Sequence, residues 1–310
     1  MLEEMVGFHS VSGNEKKFAL WFKDKLRGYA AHLECDKAGN LIGQRSEKSD
    51  IGLFVHMDIV GFMVKRVCKK KIEVVKIGTP KVADGTRVVI LGRSNEIVGI
   101  LIKVEEDYIV DVGAYEGDIV QNVEAGDFVA ISPNYYENND VIISNSLDNK
   151  IGCFVGMEVF KTCPNAILVG TVKEEHKTSG AIYAATSLAN RLKAALIIDV
   201  TYDEYPFQDS PIKIGKGPAI CLKDTVLHSR ELAFHIISIA KKLNIPYQIE
   251  VIDEGLSDAS VISHLGIPFV FIGIPIRYMH SASEVANWKD IRNSISLISA
   301  FLQNFNCEGL

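Results

Sequence analysis

The sequence predicts an α/β protein: a layered α/β domain interrupted by a small inserted all-β module. Three observations carry that expectation. From Asp148 onward, apolar runs of strand length alternate with amphipathic helical patterns, as in sheets whose strands are covered by helices. A helical pattern and a buried-strand pattern of the same kind stand near the start of the chain. Between them, residues 64–147 hold short β-rich runs broken by Gly, Asp and Asn, with no helical periodicity. The α/β pattern on both sides makes the β module an insertion, so residues 1–63 and 148–310 are expected to form one discontinuous domain. In a tandem arrangement the first fragment would have too little surface to fold against.

Each element has its own signal. NEKKFALWFKDKLRGY, from Asn14, reads as an amphipathic helix opened by a polar residue after the break VSG. HLECDKAGNLIGQR places a turn at Ala38 to Asn40 between two short strands, and IGLFVHMD (51–58) is a continuous apolar run of the buried-strand kind. KIEVVKI, TRVVIL, EIVGILIKV, YIVDVG, DFVAIS and DVIIS supply the strands of the β module. Then follow the helix DNKIGCFVGMEVFKTC, the strand AILVGTVK, the helix TSGAIYAATSLANRL and the strand AALIIDV. SRELAFHIISIAKKL (helix), IPYQIEVI (strand), SDASVISHL (helix), IPFVFIGI (strand) and NWKDIRNSISLISAFLQNF (helix) complete the alternation.

The 310 residues are long enough for two domains, and 47% hydrophobic with 23% charged residues is ordinary globular composition. A net charge of −6 argues against a nucleic-acid partner, which requires clustered positive charge. Lys69, Lys70 and Lys71 form the only basic cluster and read as a solvated turn. The opening MLEEMVGFHS is too acidic and too weakly apolar for a signal peptide, and IPFVFIGIPI (267–276) is far too short to span a bilayer. Six scattered cysteines without CxxC spacing fit free thiols in a reducing, cytoplasmic setting.

Chemistry collects at the ends of the apolar segments. His56 and Asp58 close IGLFVHMD, Asp148 follows VIISNSL, Glu174 and Glu175 close ILVGTVK, Asp199 closes AALIID, and His280 follows IPFVFIGIPIRYM. An adjacent pair of glutamates on a loop is ordinarily solvated. Several carboxylates gathered at strand ends would repel one another unless a cation compensates them. Two histidines and three or four carboxylates, without cysteine, suit zinc, cobalt or manganese better than magnesium or calcium.

Seven pieces in order along nearly the whole chain carry a resemblance: VSGNE, HMD with GFMV, SLDNKIGC, TVKEE with GA, IIDVT, GKGPAI and YMHSASEV. Together they resemble the M42 family of dinuclear metalloaminopeptidases, of the glutamyl aminopeptidase and tetrahedral-aminopeptidase group. The resemblance implies two divalent metal ions per subunit and short peptide substrates. It implies that Asp148 bridges the ions, with His56 and Asp199 on one and Glu175 and His280 on the other. Asp58 would accept the second ring N–H of His56, and Glu174 would be the general base, taking a proton from water and returning it to the leaving amine. It further implies homo-oligomers: dimers through the β module, with a hollow dodecamer that admits only short peptides as one assembly built from them.

The chain departs from the family pattern at Ile59, where an acidic residue is frequent, at His176 and Lys177, and in the loop Tyr202 to Ser210, which follows a proposed ligand and bears on substrate preference. Arg277 and Tyr278 are candidates for substrate contact through their closeness to His280. His9, His32, His228, His235 and His264 are assigned to structure or surface, and Asn149 and Lys150 to capping and solvating a helix start. Three other readings stay open at this point. A related M20-like deacylase or dipeptidase would carry a mixed α/β insertion placed later in the chain. A glycosidase would work without metal, so a chelator would leave it active. A silent assembly protein would keep metal only to stabilise its fold.

Overall fold

A computed structural model of the chain describes residues 1–68, 71–113, 122–176, 180–203 and 210–305. Lys69 and Lys70 of the basic cluster, Lys177 to Ser179, residues 204–209 of the loop after Asp199, and Cys307 lie outside the described residues.

Two helices, α1 (Leu2–Val6) and α2 (Lys16–Leu26), precede the strands β1 (His32–Cys35), β2 (Leu41–Gln44) and β3 (Ile51–His56). In α2 the spacing of Phe18, Phe22 and Leu26 puts three large apolar side chains on one buried face. The next six strands are β4 (Gly61–Cys68), β5 (Lys71–Ile77), β6 (Thr86–Leu91), β7 (Glu96–Val104), β8 (Asp107–Asp111) and β9 (Phe128–Ile131). They close into a barrel in the order β4-β5-β8-β7-β6-β9. Alternation drives the closure: Ile72 and Val74, Val88 and Ile90, and Ile97 and Leu101 point into one core, and full closure leaves no unpaired edge.

The chain then runs through β10 (Tyr135–Asn138), β11 (Val141–Ser144), α3 (Leu147–Thr162), β12 (Ala166–Thr171), α4 (Ala181–Leu188) and β13 (Ala194–Tyr202). It ends with β14 (Ala219–Lys223), α5 (Arg230–Leu243), β15 (Gln248–Val251), α6 (Ala259–Ile262), β16 (Phe269–Ile276), β17 (Glu284–Asn287) and α7 (Trp288–Asn304). The main sheet has eight strands in the order β1-β2-β12-β3-β13-β16-β14-β15. Its centre, β12, β3, β13 and β16, is parallel.

Both faces of that centre are covered, which explains its unbroken apolar runs. Leu53, Val55, Leu196, Ile198, Val270 and Ile272 face a core shared with α2, α3, α5 and α7. Phe54, Ala195, Ile197, Phe269 and Phe271 face the opposite core, under α4 and α6. One strand expected in the β module lies elsewhere: VIIS, as β11, pairs with β10 and with β17. Sequence periodicity marks a strand but does not say which long-range partner it takes. Strand β14, unread in the sequence, is short and continues straight into polar residues.

Candidate metal centre

Because β3, β12, β13 and β16 run parallel, their carboxyl ends lie together, where open α/β sheets place their sites. His56 ends β3, Glu174 and Glu175 follow β12, Asp199 lies in β13, and His280 follows β16. Asp148 arrives at the start of α3, where its φ/ψ (−78°, 108°) is not helical. Asn149 fixes this entry: its side chain donates to Ile198 O at 2.9 Å and accepts the Gly152 N–H at 2.9 Å.

The Asp148 carboxylate stands between the two histidines. Its Oδ1 is 3.1 Å from His56 Nε2 and its Oδ2 is 3.1 Å from His280 Nε2. Asp199 Oδ1 lies 3.3 Å from His56 Nε2, and Glu175 Oε2 lies 3.3 Å from His280 Nε2. Ligand atoms of His56, Asp148 and Glu175 all fall within 4.8 Å of one another. Two groups that share Asp148 therefore converge.

The electrostatics signal a shortage of positive charge. Burial and the nearby Asp148 push Glu175 up to about 7. Burial raises Glu174 well above the usual carboxylate range, with the Glu175 and Asp199 charges adding to it and His56 opposing. Burial likewise raises Asp199. Burial opposes protonation of His280, but Asp148 and Glu175 outweigh it and bring the imidazole up to about 11. Glu175 Oε1 is buried with no hydrogen-bond partner among the described residues. A donor set of imidazoles and carboxylates with an orphaned buried oxygen fits divalent cations.

Supporting groups fix this arrangement. Asp58, fully buried, accepts the Glu174 and Glu175 N–H groups, each at 3.1 Å, and the Ser12 hydroxyl. Its Oδ1 is 3.6 Å from His56 Nδ1, too far for a hydrogen bond, so its visible work is to hold the turn that carries both glutamates. Thr79 Oγ1 lies 2.8 Å from His280 Nδ1. It reaches the centre from the segment after β5 because Gly78, at φ +71°, lets the backbone pass close to Glu175.

Two contributors escaped the sequence reading. Glu284, buried in β17, accepts the Asp148 N–H at 3.1 Å and the His280 N–H at 2.6 Å. It thus ties together the backbones of two candidate ligands. It stands inside the quoted match YMHSASEV, the one signal that could have found it.

Lys150 was expected to solvate a helix start and is instead fully buried. Its ammonium donates to Ser10 Oγ at 2.6 Å and to Met57 O at 2.5 Å, and lies 3.6 Å from the centre of the Phe18 ring. Burial lowers its pKa to about 8. Through Met57 it grips the backbone between His56 and Asp58. Asn149, expected to cap, is buried as well and locks Asp148 in place.

The remaining candidates separate plainly. Arg277 pairs with Asp203, which also accepts the Ile214 N–H at 2.9 Å, so this pair ties the end of β13 to Ile214. Tyr278 is 45% exposed and His176 is exposed. Ile59 packs with Val11, Ile77 and Ala130 at the junction with the barrel, which gives its apolar character a structural reason. His228 and its neighbours Cys221 and Asp224 form a separate buried group.

A model of the M42 glutamyl aminopeptidase family matches residues 39–297. A protein of Acetivibrio thermocellus, provisionally named an aminopeptidase, is 32% identical over 322 aligned positions that cover 96% of each chain. Among solved structures, an aminopeptidase from the archaeon Desulfurococcus kamchatkensis superposes with a TM-score of 0.91 at 26% identity, covering 99% of this chain and 94% of that one. The Pyrococcus horikoshii TET1 peptidase, which can assemble into a tetrahedron or a large octahedral shell, gives 0.84 at 23% identity over 98% of each chain, a likeness of fold.

Proposed function

We propose a mechanism for a chain that belongs to the M42 glutamyl aminopeptidase family. It is a metal-dependent peptide hydrolase of the aminopeptidase type. In our reading it removes N-terminal residues from short peptides with two divalent ions, zinc, cobalt or manganese. His56, Asp148 and Asp199 would hold one ion, and Asp148, Glu175 and His280 the other. The observation that supports this division is the placing of the two Asp148 oxygens, each 3.1 Å from a different histidine. When bound, such ions supply a water of lowered pKa and a polarised carbonyl.

The chain's own groups do the rest. Glu174, buried among carboxylates that raise its proton affinity, takes a proton from the attacking water and passes it to the departing amine. On the turn after β12, Glu175 Oε2 lies 3.3 Å from His280 Nε2, so Glu175 can face a metal while Glu174 faces the water. Asp58 keeps that turn in register through the two N–H groups it accepts. Thr79 holds the His280 ring with Nε2 toward Asp148 and Glu175. An exopeptidase needs a free substrate amine, so aminoacyl anilides should be hydrolysed and their N-acetylated counterparts should not. Equal cleavage of both would count against the aminopeptidase assignment.

We further propose that residues 1–63 and 148–310 form the catalytic domain and residues 64–147 an assembly domain through which subunits dimerise, with larger shells up to a dodecamer built from the dimers. The outer face of β7 supports this: Val98 and Ile100 are 57% and 40% exposed, unusual for aliphatic neighbours on a surface without a partner. Val98→Glu combined with Ile100→Glu should shift light scattering to a smaller species. An unchanged mass would remove this face from the interface. Unpaired thiols, the state of the five described cysteines, suit the cytoplasm.

A further inference from the structure

A cavity of about 280 Å³ opens on the metal centre and continues along the end of the sheet. Beyond Glu174 and Asp199, Ile252, Leu256 and Phe271 give it stretches of apolar wall. The same cavity is lined by Asp224 and Glu250, which are only 4% and 2% exposed, and by the exposed Glu254. Among the described residues that line it there is no Lys or Arg.

Buried carboxylates normally have a cationic partner or a full set of donors. Among the described residues neither of these two has a Lys or Arg partner; Asp224 has only the His228 imidazole at ion-pair distance. Glu250 takes the Thr201 hydroxyl at 2.5 Å and contacts the Cys221 thiol. Asp224 takes the Val226 N–H at 2.8 Å, with His228 Nε2 at 3.3 Å. Two lysines of the surrounding segments are engaged by other groups. Lys223 turns its ammonium onto the carbonyls of Asp224 and Ile252, at 3.0 and 2.9 Å. Lys81 lies on the Tyr202 hydroxyl at 3.2 Å. Burial, reinforced by Asp224, raises the Glu250 carboxyl above its usual range, against the Thr201 and Cys221 hydrogen bonds and the nearby His228.

We propose that this cavity receives the side chain of the substrate's N-terminal residue and selects a cationic one, lysine or arginine, the ammonium or guanidinium completing Glu250 and Asp224. The inference rests on the aminopeptidase reading and deepens it. The geometry suits a long aliphatic stem. Thr201 lies two residues beyond Asp199 on the same face of β13, about 7 Å along the strand, so Glu250 stands one extended side chain away from the metal centre. The stem packs on the apolar walls while the charged end reaches the carboxylates. A glutamate side chain would meet like charge.

The test compares lysyl, arginyl, norleucyl and glutamyl anilides, which share one leaving group, on the metal-supplemented protein. Lysyl and arginyl substrates should exceed norleucyl by about 100-fold in kcat/KM, the scale of a buried polar group left unsatisfied, and glutamyl should be the poorest. Glu250→Gln keeps shape and removes charge, and it should cut the lysine-to-norleucine ratio by about tenfold or more. Glu254→Gln, at an exposed position, should lower it less. Lysine amide should inhibit the wild-type protein at lower concentration than norleucine amide, a reading that needs no variant. Norleucyl hydrolysis equal to or faster than lysyl, or a ratio that neither variant moves, would overturn the proposal. Cleavage of none of the four would take down the aminopeptidase reading itself, and the selectivity with it.

Discussion

Replacing Glu174 by Gln is expected to lower kcat by about two to four orders of magnitude, the usual size of a general-base contribution, while the protein keeps its metal. The amide preserves the shape of a side chain that is 8% exposed and removes only the proton acceptor. Its backbone N–H still donates to Asp58, so the turn and the neighbouring Glu175 stay where they are. Metal content after dialysis should match the wild type. Loss of metal would make Glu174 a ligand, and full turnover would send the search for a base elsewhere.

Glu175→Ala should behave in the opposite way. Glu175 Oε2 stands 3.3 Å from His280 Nε2 at the centre of the second group, and alanine removes that carboxylate. The variant should bind one metal where the wild type binds two, the remaining one on His56, Asp148 and Asp199. Activity should fall by more than the roughly 10–100-fold that follows loss of a group merely supporting a ligand. Elemental analysis of dialysed protein reads the first expectation and anilide hydrolysis the second. Retention of the wild-type metal content would remove Glu175 from the ligand set.

These two variants separate neighbours whose difference is invisible in the sequence EE. What was legible there is what local physics sets. Strands buried on both faces read as unbroken apolar runs, so the ends of β3, β12, β13 and β16 were found together with the His, Asp and Glu that close them. Amphipathic spacing marked α2, α5 and α7. Long-range pairing was not legible. VIIS has the same pattern as its barrel neighbours yet joins β17, and that pairing brings Glu284 beneath Asp148 and His280. Lys150 reads as a solvated helix residue, because nothing local announces that Ser10, Met57 O and the Phe18 ring will enclose its ammonium. Asp203, read as a possible selector of substrate, is spent on Arg277 and on the Ile214 N–H. The carboxylates that line the cavity beyond Asp199 come from separate strands and loops, and only the fold brings them together.

The central claim, that these residues form a two-metal peptidase site, is tested most directly by counting metal on chelated protein while activity is restored. Apoprotein titrated with zinc, cobalt or manganese should take up two ions per subunit, and hydrolysis of an aminoacyl anilide should return as they bind. Uptake should fall to one ion in Glu175→Ala. Undiminished hydrolysis after complete chelation, or saturation with two ions and no hydrolysis of any aminoacyl anilide, would contradict the account.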